Sequence, residues 1–500
     1  MTVRVDWRSS CSLTGTVLRW LAVPLALPLV LALHDGDDPV PFVVAIVVTI
    51  AVGFGLERLS QDRDIGQREG FLMVALTWFG VAAVGAIPFV LGSAGSLAHP
   101  VNALFESMSG VTTTGATVMD GTGFDENPRS ILLWRQLIQW LGGLGILIVA
   151  LALLSNLLVG GAQLMETETQ TKNVRKLRPH MADTARLIWG LYVGLTLLAT
   201  ATFYALHLLG FAPNMDLFNA FSHALTSVAT AGFSPEPDSV GAFSPLVQWA
   251  VVPFMLLGAT NFVLLYYVTN GEYTRPFRNE EFRFYLGVTA TFTLVVAAVL
   301  LVDGHYDGRL EPTVRHAVFN VASIMTTTGY ASTDFGLWTP AATHMLFLAM
   351  FVGGMAGSTT CSIKSLRWLI VLKAFKRNLF TAVHPRAVRP IRLSGEVVEE
   401  DTIRDVFSYV LLAIVIFFLL TIYLVADAVR AGDPVTEFEA LGAAASIFLN
   451  IGPAFERAGP YENYLVFSTS SRAVMIVMMW VGRIEIIPVL VLLTPAYWRS

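Results

Sequence analysis

The sequence predicts an all-α membrane protein, and three observations predict it. Its 500 residues are 54% hydrophobic and only 14% charged, with a mean hydropathy of +0.62, whereas a soluble domain carries roughly 25% charged residues. About ten apolar stretches are each long enough to cross a bilayer, at roughly 20 residues per span. Four short runs recur between those stretches: Thr112-Thr113-Thr114-Gly115, Ala229-Thr230-Ala231-Gly232, Thr326-Thr327-Thr328-Gly329 and Leu449-Asn450-Ile451-Gly452. Repetition of this kind dictates the fold. The expected architecture is therefore four tandem helix–pore loop–helix repeats in a pseudo-fourfold arrangement, plus two N-terminal transmembrane helices.

The apolar stretches near 16–33 and 40–56 form the N-terminal pair, within residues 1–60. The next eight, taken two by two, flank the four runs. Stretches 71–91 and 131–158 bound repeat one (71–160), and 184–210 and 244–269 bound repeat two (184–270). Stretches 282–302 and 340–372 bound repeat three (282–372), and 403–427 and 471–493 bound repeat four (403–495). Arg4, Arg8 and Arg19 precede or open the first stretch as in a signal peptide, but no small-residue cleavage site follows and a second span comes soon after.

Charge sets the expected orientation. Lys172, Arg175, Lys176, Arg178 and Arg186 crowd the linker over 160–186, and Arg275, Arg278 and Arg283 the linker over 270–283. Arg367, Lys373, Lys376, Arg377, Arg386, Arg389, Arg392 and Arg404 lie over 367–404, whereas residues 211–243 contain no Lys or Arg. The positive-inside tendency places the linkers and the N-terminus in the cytoplasm and lets the glycine runs enter from outside. The acidic turn His34-Asp35-Gly36-Asp37-Asp38 suits the outer side as a solvated loop.

Other function classes are disfavoured. A net charge of −5 supplies no broad basic surface for nucleic acid. Cys11 and Cys361, far apart, make neither a disulfide framework nor a metal cluster. The nine histidines are scattered and no His-Glu-x-x-His occurs, so an intramembrane enzyme is not expected.

Aligned on the glycine, the runs share more than their ends. Six residues upstream stand Ser109, Thr226, Ser323 and Ser446, and nine upstream stand Glu106, His223, Asn320 and Ala443. Each run follows a stretch that reads as a short helix: 100–111, 216–229, 313–325 and 436–448. These are too short to span, as in a re-entrant half-helix. Pro100 and Pro312 sit near two openings, and Thr436 with Glu439 forms a capping box. Non-helical backbone at membrane depth must be buried in protein or line water. A filter meets that demand by letting dehydrated cations replace water at backbone carbonyls. Glycine admits the required conformation, and each half-helix aims its negative C-terminal end at the ion. A single Thr-Thr-Thr-Gly is an ordinary turn; four in register point to a pore. The expected cation-binding positions are Thr113, Thr114, Gly115, Thr230, Ala231, Gly232, Thr327, Thr328, Gly329, Asn450, Ile451 and Gly452. Ala231 and Ile451 lack the hydroxyls of Thr114 and Thr328, which favours carbonyl rather than side-chain ligands.

Two features suggest a gate. Arg483 lies inside the last apolar stretch, at a cost of about 2.5–3.5 kcal/mol near a bilayer centre. A functional role is expected, against an ion pair with Glu485 or Glu456 or an end-of-helix arginine that snorkels. Gly353, Gly354 and Gly357, followed by Ser358, Thr359, Thr360 and Ser362, interrupt the eighth stretch. That break is expected to be an intramembrane flap, against the simpler reading of a glycine kink for close packing. Lys364 either joins the flap or faces the cytoplasm.

These residues resemble the TrkH/KtrB/HKT superfamily of potassium transporters over about 71–500. Gln139-Trp140-Leu141-Gly142-Gly143-Leu144-Gly145, Gly353-Gly354-Met355-Ala356-Gly357-Ser358-Thr359-Thr360 with Ile363-Lys364, Asn450-Ile451-Gly452-Pro453 and Gly482-Arg483-Ile484-Glu485 resemble its motifs. The two spans before residue 57 suit the TrkH branch. The resemblance implies potassium uptake across the cell membrane, with potassium bound at the filter only and no covalent cofactor. It also implies a homodimer in the lipid bilayer and a separate cytosolic, TrkA-like nucleotide-binding regulatory ring. Gating is implied for Gly353, Gly354, Gly357, Lys364 and Arg483. Gly115 favours potassium, because a serine there accompanies sodium transport in the plant HKT branch. A sodium- or proton-coupled symporter of the same fold is the alternative.

Overall fold

The structure, a computed structural model, describes residues 5–60, 66–153 and 177–499. Lys172, Arg175 and Lys176 of the first basic linker, and the expected end of repeat one at 160, lie outside the described residues.

Among the described residues six helices have the length and hydropathy to cross a membrane, and a seventh such span is a bent pair. The first runs over Trp7–Asp35, longer than the expected 16–33, and is interrupted at Leu21 between Trp7–Trp20 and Ala22–Asp35. Pro24 stands in the first turn after that interruption, where a missing N–H costs least. Asp6 caps the first segment through the amides of Arg8 and Ser9. The second span, Val40–Glu57, packs against the first, with Arg19 and Glu57 paired at 3.0 Å.

Each repeat then follows one plan. An entering helix is Gln67–Gly85, Leu177–Leu208, Glu280–Val302 or Glu400–Ala431. A half-helix is Pro100–Val111, Leu217–Val228, Leu310–Met325 or Glu437–Leu449. The run follows, then a returning helix: Arg129–Leu153, Pro245–Gly258 with Phe262–Thr269, Pro340–Ala349 with Ser365–Val383, or Thr469–Arg483 with Ile486–Leu493. Two of the half-helices start on side-chain caps: Asp216 accepts from the Asn219 amide, and Thr436 with Glu439 completes the capping box.

Three of the four returning helices are broken, where the sequence suggested one break. The pair after run two turns by 107° at 259–261, where Asn261 caps the second piece through the Val263 amide. The last helix breaks at Ile484 and Glu485, whose φ is +68°. Apolar windows hide such breaks because the flanking residues stay hydrophobic. The last unit closes against the first: the Trp480 indole donates to the Ala75 carbonyl at 3.1 Å and the Tyr497 hydroxyl to that of Arg68 at 2.8 Å.

Candidate functional site

The four half-helices end where the runs begin, and the runs meet in cyclic order. A Cβ on Gly115 would strike the carbonyl oxygen of Ala231, one on Gly232 that of Thr328, one on Gly329 that of Ile451 and one on Gly452 that of Thr114. Each glycine therefore lies against the residue before the next glycine, and unit four returns to unit one.

Backbone geometry repeats even where side chains do not. Two residues before each glycine the chain enters the left-handed region, with φ of +53° at Thr113, +49° at Thr230, +52° at Thr327 and +55° at Asn450. The glycines follow at +80°, +82°, +79° and +110°. The intervening amide always returns to the residue six before the glycine: Thr114 to Ser109 (2.8 Å), Ala231 to Thr226 (3.0 Å), Thr328 to Ser323 (2.9 Å) and Ile451 to Ser446 (2.9 Å). Non-glycine residues adopt this region rarely, so four in register mark a shape imposed by the assembly.

The carbonyls two residues before the glycines, on Thr113, Thr230, Thr327 and Asn450, receive no hydrogen bond from the described residues, and neither do those of Gly115, Gly232 and Gly329. The first four residues are fully buried. Buried backbone acceptors are normally paired, so these oxygens, in runs that meet in cyclic order, suit a cation. Two expected ligands differ: the Ala231 carbonyl accepts from Gln139 Nε2 at 2.6 Å, and the Gly452 carbonyl accepts from two hydroxyls.

The residues nine upstream tie down the chain leaving the run rather than facing ions. Glu106 accepts from Thr117 Oγ1 and the Val118 amide, both at 2.9 Å, and pairs with buried Arg135 at 2.7 Å. His223 Nε2 lies 3.0 Å from Ser234 Oγ, and Asn320 Nδ2 donates to Ser332 Oγ at 3.1 Å. Ala443 has no such reach.

Sequence reasoning gave no role to Gln139 and overlooked Arg135 and Tyr464. Arg135 also donates to the Ser234 carbonyl at 3.1 Å, linking units one and two. A lone arginine in an apolar span was the available signal.

The non-helical break after Ala349 lies against the same end of the runs as the residues two before the glycines. Thr359 Oγ1 is 2.9 Å from Thr230 Oγ1, the Cys361 amide donates to Thr327 Oγ1 at 3.0 Å, and the Ser362 amide to the Leu449 carbonyl at 3.1 Å. Gly353 and Gly354 have no room for a Cβ beside the carbonyls of Cys361 and Ala259, and Gly357 has φ +76°. The segment is non-helical and held by bonds to runs two, three and four. Lys364 Nζ bonds back to the Thr360 carbonyl and hydroxyl, so it belongs to the segment.

Arg483 is buried, and its guanidinium bridges two units. Nη1 donates to the Thr359 carbonyl at 2.9 Å and contacts Cys361 Sγ at 2.8 Å, while Nη2 donates to the Gly142 carbonyl at 2.9 Å. Neither carboxylate considered as its partner takes that place. Glu485 pairs with Arg367 at 2.8 Å, and Glu456 accepts from Thr436 at 2.6 Å.

Comparison with known proteins finds likeness over nearly the whole chain. The TrkH family, described as cation transport protein, matches residues 40–500. A Trk system potassium uptake protein TrkH from Halomonas elongata is 34% identical over 492 residues, covering 97% of this chain and 98% of that protein. Its Escherichia coli K12 counterpart is 32% identical, covering 97% and 100%. The crystal structure of the potassium transporter TrkH from Vibrio parahaemolyticus superposes with a TM-score of 0.87 at 30% identity, covering 99% of this chain and all of that one. With likeness of sequence and of fold extending over nearly its whole length, this chain belongs to the TrkH family of cation transport proteins.

Proposed function

We propose that this protein takes up potassium across the cell membrane through a filter of backbone carbonyls contributed by the four runs. The observation that carries the reading is a cyclic set of runs in which the carbonyls of buried Thr113, Thr230, Thr327 and Asn450 receive no donor from the described residues. A dehydrated monovalent cation satisfies such oxygens. The half-helices add the negative ends of their dipoles. The potassium uptake named for the Halomonas and Escherichia relatives supports the choice of ion.

The test is rescue of potassium-limited growth in a strain stripped of its own uptake systems, with flux of potassium against sodium in proteoliposomes. Rescue and a preference for potassium are expected. Protein present in the membrane with no potassium flux overturns the reading.

The segment 353–364 is the gate in this reading, and Arg483 its latch. The guanidinium holds Thr359 and Cys361, which in turn touch Thr230 and Thr327. Arg483→Ala is expected to raise cation flux in liposomes several-fold and to loosen regulation; unchanged flux overturns the assignment. Deleting 356–360 should leave a leaky pore. A separate cytosolic ring of nucleotide-binding subunits would move the segment, and the functional unit is a homodimer with cytoplasmic N-termini.

A further inference from the structure

The fourth glycine does not repeat the other three. In units one and three the serine six residues upstream gives its hydroxyl to the carbonyl just past the glycine: Ser109 to Ala116 and Ser323 to Tyr330, both at 2.6 Å. In unit four Ser446 gives its hydroxyl, also at 2.6 Å, to the carbonyl of Gly452 itself. The Tyr464 hydroxyl reaches the same oxygen at 2.8 Å. A backbone carbonyl has two lone pairs, and at Gly452 both are engaged.

The cause is local. Ala116, Phe233 and Tyr330 follow the first three glycines, but Pro453 follows Gly452. Proline restricts the residue before it and offers no amide hydrogen of its own. Gly452 accordingly sits at φ +110°, against +79° to +82° for the others.

We infer that the glycine level of the filter is a three-sided cation site. Gly115, Gly232 and Gly329 supply carbonyl ligands there, and Ser446 with Tyr464 holds the fourth carbonyl away. The level two residues earlier keeps all four oxygens, from Thr113, Thr230, Thr327 and Asn450. This rests on the filter reading proposed above and adds a division of labour to it. A potassium ion at the glycine level keeps a water on the open side and is held loosely. The four-oxygen level strips that water and discriminates. Conduction requires binding weak enough to release the ion onward, and the three-sided entrance supplies that weakness. Ser446 and Tyr464 thus set how loosely the glycine level binds its ion, acting through the Gly452 carbonyl.

The experiment compares the full-length wild type with Ser446→Ala/Tyr464→Phe and with Tyr464→Phe alone. Rubidium anomalous scattering reads occupancy of the two levels, and uptake kinetics read KM for external potassium. In the wild type, rubidium is expected to be strong at the four-oxygen level and weaker at the glycine level. Freeing the Gly452 carbonyl should raise glycine-level occupancy and lower KM about three- to tenfold, the range of one hydrogen-bond-sized interaction. Tyr464→Phe alone should fall between. Equal occupancy of both levels in the wild type overturns the inference and needs no variant to fold. So do variants with unchanged occupancy and KM. A wild type that carries no potassium overturns the filter reading instead, so the two failures are distinct.

Discussion

Units one and three hold their filter loops with hydroxyl pairs of their own, whereas unit two is held largely from outside and unit four partly so. Thr112 Oγ1 lies 2.7 Å from Thr114 Oγ1, and Thr326 Oγ1 lies 2.7 Å from Thr328 Oγ1. Each odd loop also uses its own serine on the carbonyl past the glycine. Unit two has no such hydroxyl pair. Gln139 from unit one grips both sides of its glycine, donating to the Ala231 carbonyl at 2.6 Å and accepting from the Phe233 amide at 2.9 Å. On its other side Thr226 bonds the Tyr330 hydroxyl of unit three. In unit four Asn450 Nδ2 crosses to Thr114 Oγ1 of unit one at 2.7 Å and also reaches the Met479 carbonyl at 2.9 Å. The backbone torsions are nevertheless the same to within a few degrees at the residue two before the glycine. The constrained quantity is the path of the carbonyls, and side chains vary as long as some set of bonds enforces it.

The sharpest way to break this comparison is at a glycine, where odd and even units are alike. Gly232 sits at φ +82°, and an added Cβ would meet the Thr328 carbonyl of the next unit. That neighbour is backbone in a closed ring and has nowhere to go. Gly232→Ala is expected to abolish potassium uptake while the protein still inserts and purifies. Residual uptake above a tenth of wild type, measured as rubidium influx, would show that the ring tolerates a shift and that the torsions are not the constraint.

A smaller effect is expected where an even unit loses its outside support. Gln139→Ala strands the Ala231 carbonyl and the Phe233 amide in a buried site, at about 1–3 kcal/mol for each unsatisfied group. Loop two should relax, and the preference for potassium over sodium should fall about tenfold. Thr326→Val removes an internal bond of an odd loop but strands no backbone group, so its loss should be several times smaller. Equal losses in the two variants would erase the distinction between self-held and neighbour-held loops.

Much of this arrangement is readable from sequence, for a physical reason. The half-helices announce themselves by Pro100 and by the Thr436–Glu439 capping box, and the glycines by their recurrence. The interruption at 353–364 is visible because three glycines and several hydroxyl residues cannot propagate a helix. What is not readable is held by partners distant in sequence. Gln139 finds Ala231 across 92 positions and Asn450 finds Thr114 across 336. The 107° turn near Asn261 and the break at Glu485 hide inside hydrophobic windows, since each is made by one or two residues. The three-sided glycine level rests on Pro453 and Tyr464, twelve residues apart from Gly452 to Tyr464, and only the folded loop brings that hydroxyl back.

The smallest effect sharpens the comparison most finely, because it separates hydroxyl from carbonyl. Thr114 and Thr328 occupy the same place in the odd runs and make the same internal bond. Thr114 has a second duty, accepting from Asn450 Nδ2, while among the described residues Thr328 Oγ1 bonds only Thr326. Valine keeps the shape and deletes the hydroxyl. Thr328→Val forfeits one hydrogen bond, about 0.5–1.5 kcal/mol, and should leave potassium-over-sodium selectivity within about twofold of wild type. Thr114→Val also takes away one of the two acceptors of Asn450 Nδ2 and loosens the fourth loop's tie to unit one, so its selectivity loss should exceed that of Thr328→Val. Flux ratios in proteoliposomes distinguish the cases. If the ion were bound by threonine hydroxyls, the two valines would do equal and severe harm; if by carbonyls alone, only the residue that also supports its neighbour does measurable damage.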